Sequence, residues 1–260
     1  MKMETRTKAW INLGLLLLTI VVNFLGGTGQ INGTSQSEVS DSYHTLITPA
    51  GFTFSIWSVI YILLLISMIT MVIKHKDDYY SPVIERISPF LWLSYATNMI
   101  WIVLFSYRFV GVSTVFIFAY LFSLSIIMMR LKPLSQKRQW LLPLTIGLNT
   151  GWLFIASVVN VAASLVKIEW DGWGLSQSNW AMIMMVVATL LTLLVLSIVK
   201  NASFPLPIAW ALFGIFMELN TSETNGFLGI VAIVCMISLL LISFFTFYKN
   251  QNSLYPVSIR

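Results

Sequence analysis

Three short stretches carry the residues best suited to hold a small molecule. The first runs Thr48-Pro49-Ala-Gly51-Phe-Thr-Phe-Ser-Ile-Trp57-Ser-Val-Ile-Tyr61. Pro49 and Gly51 read as a turn that feeds a helix, and Trp57 and Tyr61, four apart, stack on one face of it. In the second, Asn98, Trp101 and Phe105 stand at i, i+3 and i+7 and form one stripe. In the third, Trp152, Ala156 and Asn160 recur every four residues, just after a Gly147-x-x-x-Gly151 pair that allows close helix approach. Indole faces stack on a flat or apolar molecule, and carboxamides orient it by hydrogen bonds. The same residue types also serve plain helix packing. A carboxamide in hydrocarbon must find a partner, and the usual partner is a neighbouring helix.

Other chemistry is poorly supplied. Glu218 and Arg108 fall at the ends of apolar runs, and Glu169 and Asp171 fall between runs. No carboxylate, arginine row or histidine stands in the middle of an apolar run, where ion-coupled transporters, voltage sensors and intramembrane proteases place theirs. His44 and His75 lie in expected loops, and Cys235 is the sole cysteine, so no intrachain disulfide or zinc spacing exists. No glycine-rich phosphate loop and no nucleophile–base pair is visible. The chain is therefore expected to be neither an enzyme nor an ATP-driven pump, and to need no cofactor and no metal.

The elements that must position these stripes are membrane helices. Of 260 residues, 57% are hydrophobic and only 10% charged, against roughly 25% charged in a soluble domain. Spans of ~20 apolar residues are expected near 9–26, 51–73, 89–107, 110–130, 141–166, 179–199, 204–219 and 227–248. The first follows Lys2, Arg6 and Lys8 like a signal peptide, but Leu25-Gly-Gly-Thr-Gly-Gln30 lacks a clear cleavage site, so it reads as a retained helix. The seventh is short and opens with Pro205 and Pro207, which a first helical turn tolerates. With eight spans and the N-terminus inside, one side holds Lys2, Arg6, Lys8, Lys74, Lys76, Arg86, Arg130, Lys132, Lys137, Arg138, Lys200, Lys249 and Arg260. The other side holds only Arg108 and Lys167. That asymmetry places both termini in the cytoplasm, with the plasma membrane as the expected location. Residues 27–50, on the outer side, contain no lysine or arginine, and Trp170, Trp173 and Trp180 cluster at an outer interface. Asn32-Gly-Thr34 and Asn220-Thr-Ser222 are sequons on that side.

Taken together and in this order, the three stripes resemble the TspO/MBR family, the tryptophan-rich sensory proteins and translocator proteins. Trp57 and Tyr61 match the last Trp and Tyr of that family's G-P-V-W-x-x-L-Y stretch. Asn98, Trp101 and Phe105 match its N-x-x-W-x-x-x-F, and Trp152, Ala156 and Asn160 match the end of P-Y-x-x-W-x-x-x-A-x-x-x-N. The resemblance covers about residues 9–166, the family's five-helix unit. Trp210 falls outside it, and its replacement is expected to change ligand affinity little. There are departures. The family's W-x-P-P reads Leu46-Ile-Thr48-Pro49, its P-Y reads Leu148-Asn149, and the sterol motif's tyrosine is missing from Val161-Ala-Ala-Ser-Leu-Val-Lys167. The first loop has no tryptophan, on which the porphyrin breakdown proposed for bacterial members depends.

The expected fold is an all-α polytopic bundle of about eight spans. Residues 1–166 form a five-helix unit, and 167–260 add three helices packed in the same bundle. The resemblance implies an apolar or tetrapyrrole-like ligand in an intramembrane cavity opening toward the outer half, lined by Trp57, Tyr61, Asn98, Trp101, Phe105, Trp152, Ala156 and Asn160, in a sensory or ligand-traffic role. The expected partners are membrane lipid, that small molecule and, open at this stage, a second copy of the chain; nucleic acid is not expected. The rivals are a small-molecule or lipid permease, which an internal repeat would favour, and a structural membrane subunit without a ligand.

Overall fold

The structure is a computed structural model that describes residues 3–136, 139–220 and 226–257. Lys2, Lys137, Arg138 and Arg260 of the basic set, and Thr221 and Ser222 of the second sequon, lie outside the described residues. Among those described there are nine α-helices and no strand: α1 (Thr5–Gly27), α2 (Gln36–Ser42), α3 (Ile56–Ile73), α4 (Tyr80–Ser106), α5 (Val110–Leu131), α6 (Leu141–Lys167), α7 (Gln177–Val199), α8 (Pro205–Leu219) and α9 (Gly226–Lys249). Hydrocarbon leaves backbone amides no partner but one another, so each long apolar run closes its own helical hydrogen bonds. Seven helices are long and apolar enough to cross a membrane, and α8 is a shorter apolar one.

Five helices close a ring. α1 packs on α3 and α4, α4 on α5, α5 on α6, and α6 back on α3. Buried asparagines fix the register of the seam between α1 and α4. Asn12 donates to Ser88 Oγ at 2.9 Å and accepts from Trp92 Nε1 at 2.7 Å, and Asn23 donates to Asn98 Oδ1 at 2.7 Å. Interhelical bonds of this kind contribute about 0.6 kcal/mol each, rarely above ~1.7, so their weight lies more in alignment than in strength. α4 starts nine residues before the expected span. Its first turns carry Glu85, which accepts from Lys8 Nζ at 2.5 Å and Thr5 Oγ1 at 2.8 Å, and that pairing lets a charged, membrane-flanking segment remain helical.

The remaining helices flank the ring: α8 lies on α6, α9 on α8, and α7 on α9. The Gly147/Gly151 pair faces α8 and the turn before it. A Cβ at Gly147 would stand 2.1 Å from Ser203 Oγ, and one at Gly151 would stand 2.1 Å from the Phe204 carbonyl oxygen. α8 has 15 residues, roughly 22 Å of helix, short of the ~30 Å hydrocarbon core. It nevertheless runs from one end of the bundle to the other. At its start Asn201 Nδ2 donates to the Pro143 carbonyl at 3.0 Å, and at its far end Gly214 O accepts from Ala50 N at 3.2 Å. Cover on several sides explains how so short a helix is accommodated: Pro205, Ile208, Ala209, Ala211, Leu212 and Ile215 are all buried.

The first loop is not extended coil. Ser35 caps α2 by accepting from Glu38 N at 3.2 Å, and Glu38 Oε2 accepts from Ser35 N at 2.6 Å, a reciprocal capping box. Val39, fully buried against Phe105, Val110 and Ala163, pins this short helix over the end of the ring. Asn32 Nδ2 donates to the Ser106 carbonyl at 3.1 Å, which ties the first sequon to the end of α4.

Candidate functional site

The second span opens with a 3-10 turn, Gly51–Ser55, before α3 begins at Ile56. Thr53 Oγ1 bonds the Ala50 carbonyl within that turn, at 2.5 Å. The turn sets Phe54 against Trp152, ring centroids 6.2 Å apart and edge-on. One helical turn on, Trp57 faces inward. It stacks on Tyr61 (5.4 Å, 15° between planes), tilts against Trp101 (6.3 Å) and meets Trp152 edge-on (6.1 Å). Trp101 continues to Phe105 at 6.0 Å. Three indoles from α3, α4 and α6 thus converge inside the ring.

Their polar edges differ. Trp101 Nε1 donates to Asn160 Oδ1 at 3.1 Å, and Asn160 Nδ2 donates to Thr114 Oγ1 at 2.7 Å, binding α4, α5 and α6 together. Trp152 is 3% exposed, and its Nε1–H has no hydrogen-bond partner. A buried, unpaired donor costs roughly 1–3 kcal/mol, and Trp152 is the cavity-lining residue that carries one.

A cavity lies among these groups. It is lined by Trp57, Trp101, Phe105, Trp152, Ala156 and Asn160, and also by Phe54, by Gln36 and Ser40 of α2, and by Ala211 of α8. Six of the eight expected residues therefore share it. Tyr61 instead lines a crevice between α1 and α3, which shares Gln36, Phe54 and Trp57 with the cavity. Asn98 lines neither; it is fully buried, held by Asn23 and 3.5 Å from the Tyr61 hydroxyl. The free volume is about 40 Å³ in the cavity and about 450 Å³ in the crevice. At ~10–15 Å³ per water the cavity holds about three waters, whereas drug-sized pockets run to ~300–1,000 Å³. A flat tetrapyrrole fits only if Trp57 and Phe54 swing and join the two spaces.

The α2 and α8 contributions did not emerge from the sequence stripes. Trp210 Nε1 donates to the Thr53 carbonyl at 3.0 Å, on the turn that carries Phe54. α8 reaches the site because Gly214 lies against Thr53, where a Cβ would come within 2.1 Å of Cγ2. The signals were present as Ser35-x-x-Glu38 for α2 and as the glycines of α6 and α8.

Compared with known protein families, the sequence matches the TSPO-like protein family over residues 9–245. The chain belongs to the TSPO-like family. The match continues through residues 167–245, past the point where the resemblance of the three stripes ends, so α7, α8 and most of α9 lie within it. No curated protein and no solved structure matches the chain. As a TSPO-like protein with seven helices long and apolar enough to span, it is an integral membrane protein. Among its described residues no three His, Cys, Asp or Glu side chains are grouped to hold a metal.

Proposed function

We propose that this TSPO-like protein binds an apolar, flat small molecule bearing a hydrogen-bond acceptor, in the aromatic cavity beneath α2, in a sensory or ligand-traffic role without catalysis. The observation that carries this is the unpaired Trp152 Nε1–H beside a cavity walled by indoles from three helices. A packing-only core would favour pairing that donor or replacing the residue. In the proposed complex the guest's acceptor takes the Trp152 proton donor, and Trp57 and Trp101 give it ring faces. Ala156 leaves room, and Asn160 holds Trp101 in place. The guest arrives through the crevice between α1 and α3, past Trp57 and Phe54. A tetrapyrrole is the largest guest of this class, since it must occupy the cavity and the crevice together. The flanking helices serve as a buttress for the loop. The basic residues set the orientation with the termini in the cytoplasm and α2 outside, most economically in the plasma membrane.

Protoporphyrin IX, titrated into the full chain in maltoside micelles, tests the idea. Saturable quenching of tryptophan fluorescence is expected. The Trp152→Phe protein should bind about three- to tenfold more weakly, the worth of one hydrogen bond of ~0.5–1.5 kcal/mol. Trp10→Phe, on a residue 53% exposed on the lipid side of α1, should change nothing. Linear quenching, or equal affinity in the two variants, means that the dye only dissolves in the micelle and that the indoles are packing. Orientation is tested separately, by labelling single cysteines placed at Gln177 and Lys76. Reagent added outside should reach the first and miss the second.

A further inference from the structure

A second group of three tryptophans lies at the same end of the bundle, outside the ring. Trp170, Trp173 and Trp180 sit with ring centroids 5.0–6.0 Å apart. Trp170 and Trp180 wall a crevice of about 340 Å³ between the end of α6, the start of α7 and the first loop, a size suited to a small molecule. Its floor is apolar, with Ala162, Leu165 and Met184; at its mouth stand Asp171 and His44. No lysine or arginine lines it. The nearest cation along the chain, Lys167, bonds the Arg108 carbonyl instead. His44 leads to a further carboxylate, with its Nε2 3.5 Å from Glu218 Oε1.

The parts are held in position. Trp180 Nε1 donates to the Gly172 carbonyl at 2.7 Å, which fixes the ring edge. Asp171 Oδ1 accepts from Trp173 N at 3.0 Å. Trp173, 77% exposed, has φ +52, a left-handed conformation that costs a bulky side chain roughly 1–2 kcal/mol. A large apolar ring is thus held exposed beside the crevice, at a conformational cost.

We infer that this crevice is a binding site for an amphiphilic organic ammonium, its apolar part on the floor and its cation against the Trp170 and Trp180 faces and the Asp171 carboxylate. Tryptophan is the strongest cation–π partner among side chains, and a carboxylate without a competing local cation adds the opposite charge. The ammonium is either that of a choline-headed lipid in the outer leaflet or that of a free amine. The site is independent of the cavity proposed above, because the two share no lining residue.

Benzyltrimethylammonium is the probe, and neopentylbenzene, the same shape with carbon for nitrogen, is its uncharged counterpart. Equilibrium dialysis against the full chain in maltoside micelles should show saturable binding of the first and only linear uptake of the second. Asp171→Asn keeps the acceptor for Trp173 N and removes the charge, and it should weaken binding about three- to fivefold. Trp180→Phe should weaken it by a similar factor while circular dichroism shows the helices intact. Repeating the titration in nanodiscs identifies the source. If phosphatidylcholine suppresses probe binding and phosphatidylglycerol does not, the lipid headgroup is the occupant; if neither suppresses it, a soluble amine is. No saturable binding in micelles, equal affinity in the wild type and Asp171→Asn, or saturable uptake of neopentylbenzene would overturn the inference.

Discussion

The two tryptophan clusters use one residue type in opposite ways. In the ring, Trp101 and Trp152 are 5% and 3% exposed, the free volume is small and no charged side chain lines the cavity. At the α6–α7 corner, Trp173 is 77% exposed, the volume is several times larger and the mouth is acidic. In the first setting the indoles meet edge-on or tilted, and what sets Trp152 apart from Trp101 is that its N–H is unpaired. In the second, Trp180's N–H is tied to the Gly172 carbonyl and its ring packs against Trp170 and Trp173. The identity of the residue therefore says little until its surroundings are known.

The comparison breaks most readily at the walls. The ring's wall cannot accept a methyl group: Gly151→Ala would place a carbon 2.1 Å from a backbone oxygen. It should cost about 3 kcal/mol or more, seen as a large fall in the thermal unfolding midpoint in micelles. Gly174, near the corner, has open space at its Cβ but φ +74, so Gly174→Ala should cost only about 1 kcal/mol. Next in size is Asn160→Ala. It leaves Trp101 Nε1 and Thr114 short of a partner, and about 1–3 kcal/mol is expected, whereas Asp171→Asn should stay within ~0.5 kcal/mol. A finer contrast lies within the ring. Trp101→Phe removes a made bond and Trp152→Phe does not, so chemical denaturation should find the first about 1 kcal/mol less stable than the second. Equal stabilities would mean that Trp152 Nε1 does have a partner.

The smallest effect concerns the cover over the cavity. The Glu38 carboxyl is held below its ordinary range, first by the Ser35 backbone N–H and then by the Ser35 hydroxyl. A depressed acid stabilises the fold above its unfolded value, 4.5, and loses that contribution as pH falls through the folded value. Hydrogen exchange over 36–42 should accordingly be slow at pH 6 and quicken relative to the core below about pH 4.5.

The spans were legible because hydropathy and the bilayer's demand on the backbone leave few alternatives. Even the short α8 was marked by its two prolines and the run after them. Helical spacing marked the stripe of each helix, and the family resemblance suggested that Trp57, Trp101 and Trp152 share one site. The partners of the amides were not. Asn98 and Asn160 are equally polar in sequence, yet one is buried behind Asn23 at the α1–α3 crevice and the other braces Trp101 in the aromatic cavity, and only helix rotation decides which. The α1–α4 register likewise depends on Asn12 and Asn23, whose spacing has meaning only once α4 lies alongside. The role of α8 escaped because Gly147 and Gly151 indicate close approach without naming the neighbour.

The clasp between the first loop and α8 has a mechanical meaning. Three contacts join them: Ala50 N to Gly214 O, Trp210 Nε1 to Thr53 O, and Thr53 pressed on the bare Cα of Gly214. A helix is stiff along its axis, and this one is anchored at its opposite end by Asn201 on Pro143 and by the Ala202 N–H on the Leu254 carbonyl. Turn and helix are therefore joined end to end, with α8 held at both of its ends. Displacing Phe54 would therefore disturb the contacts that its turn makes with α8, the Trp210 hydrogen bond among them.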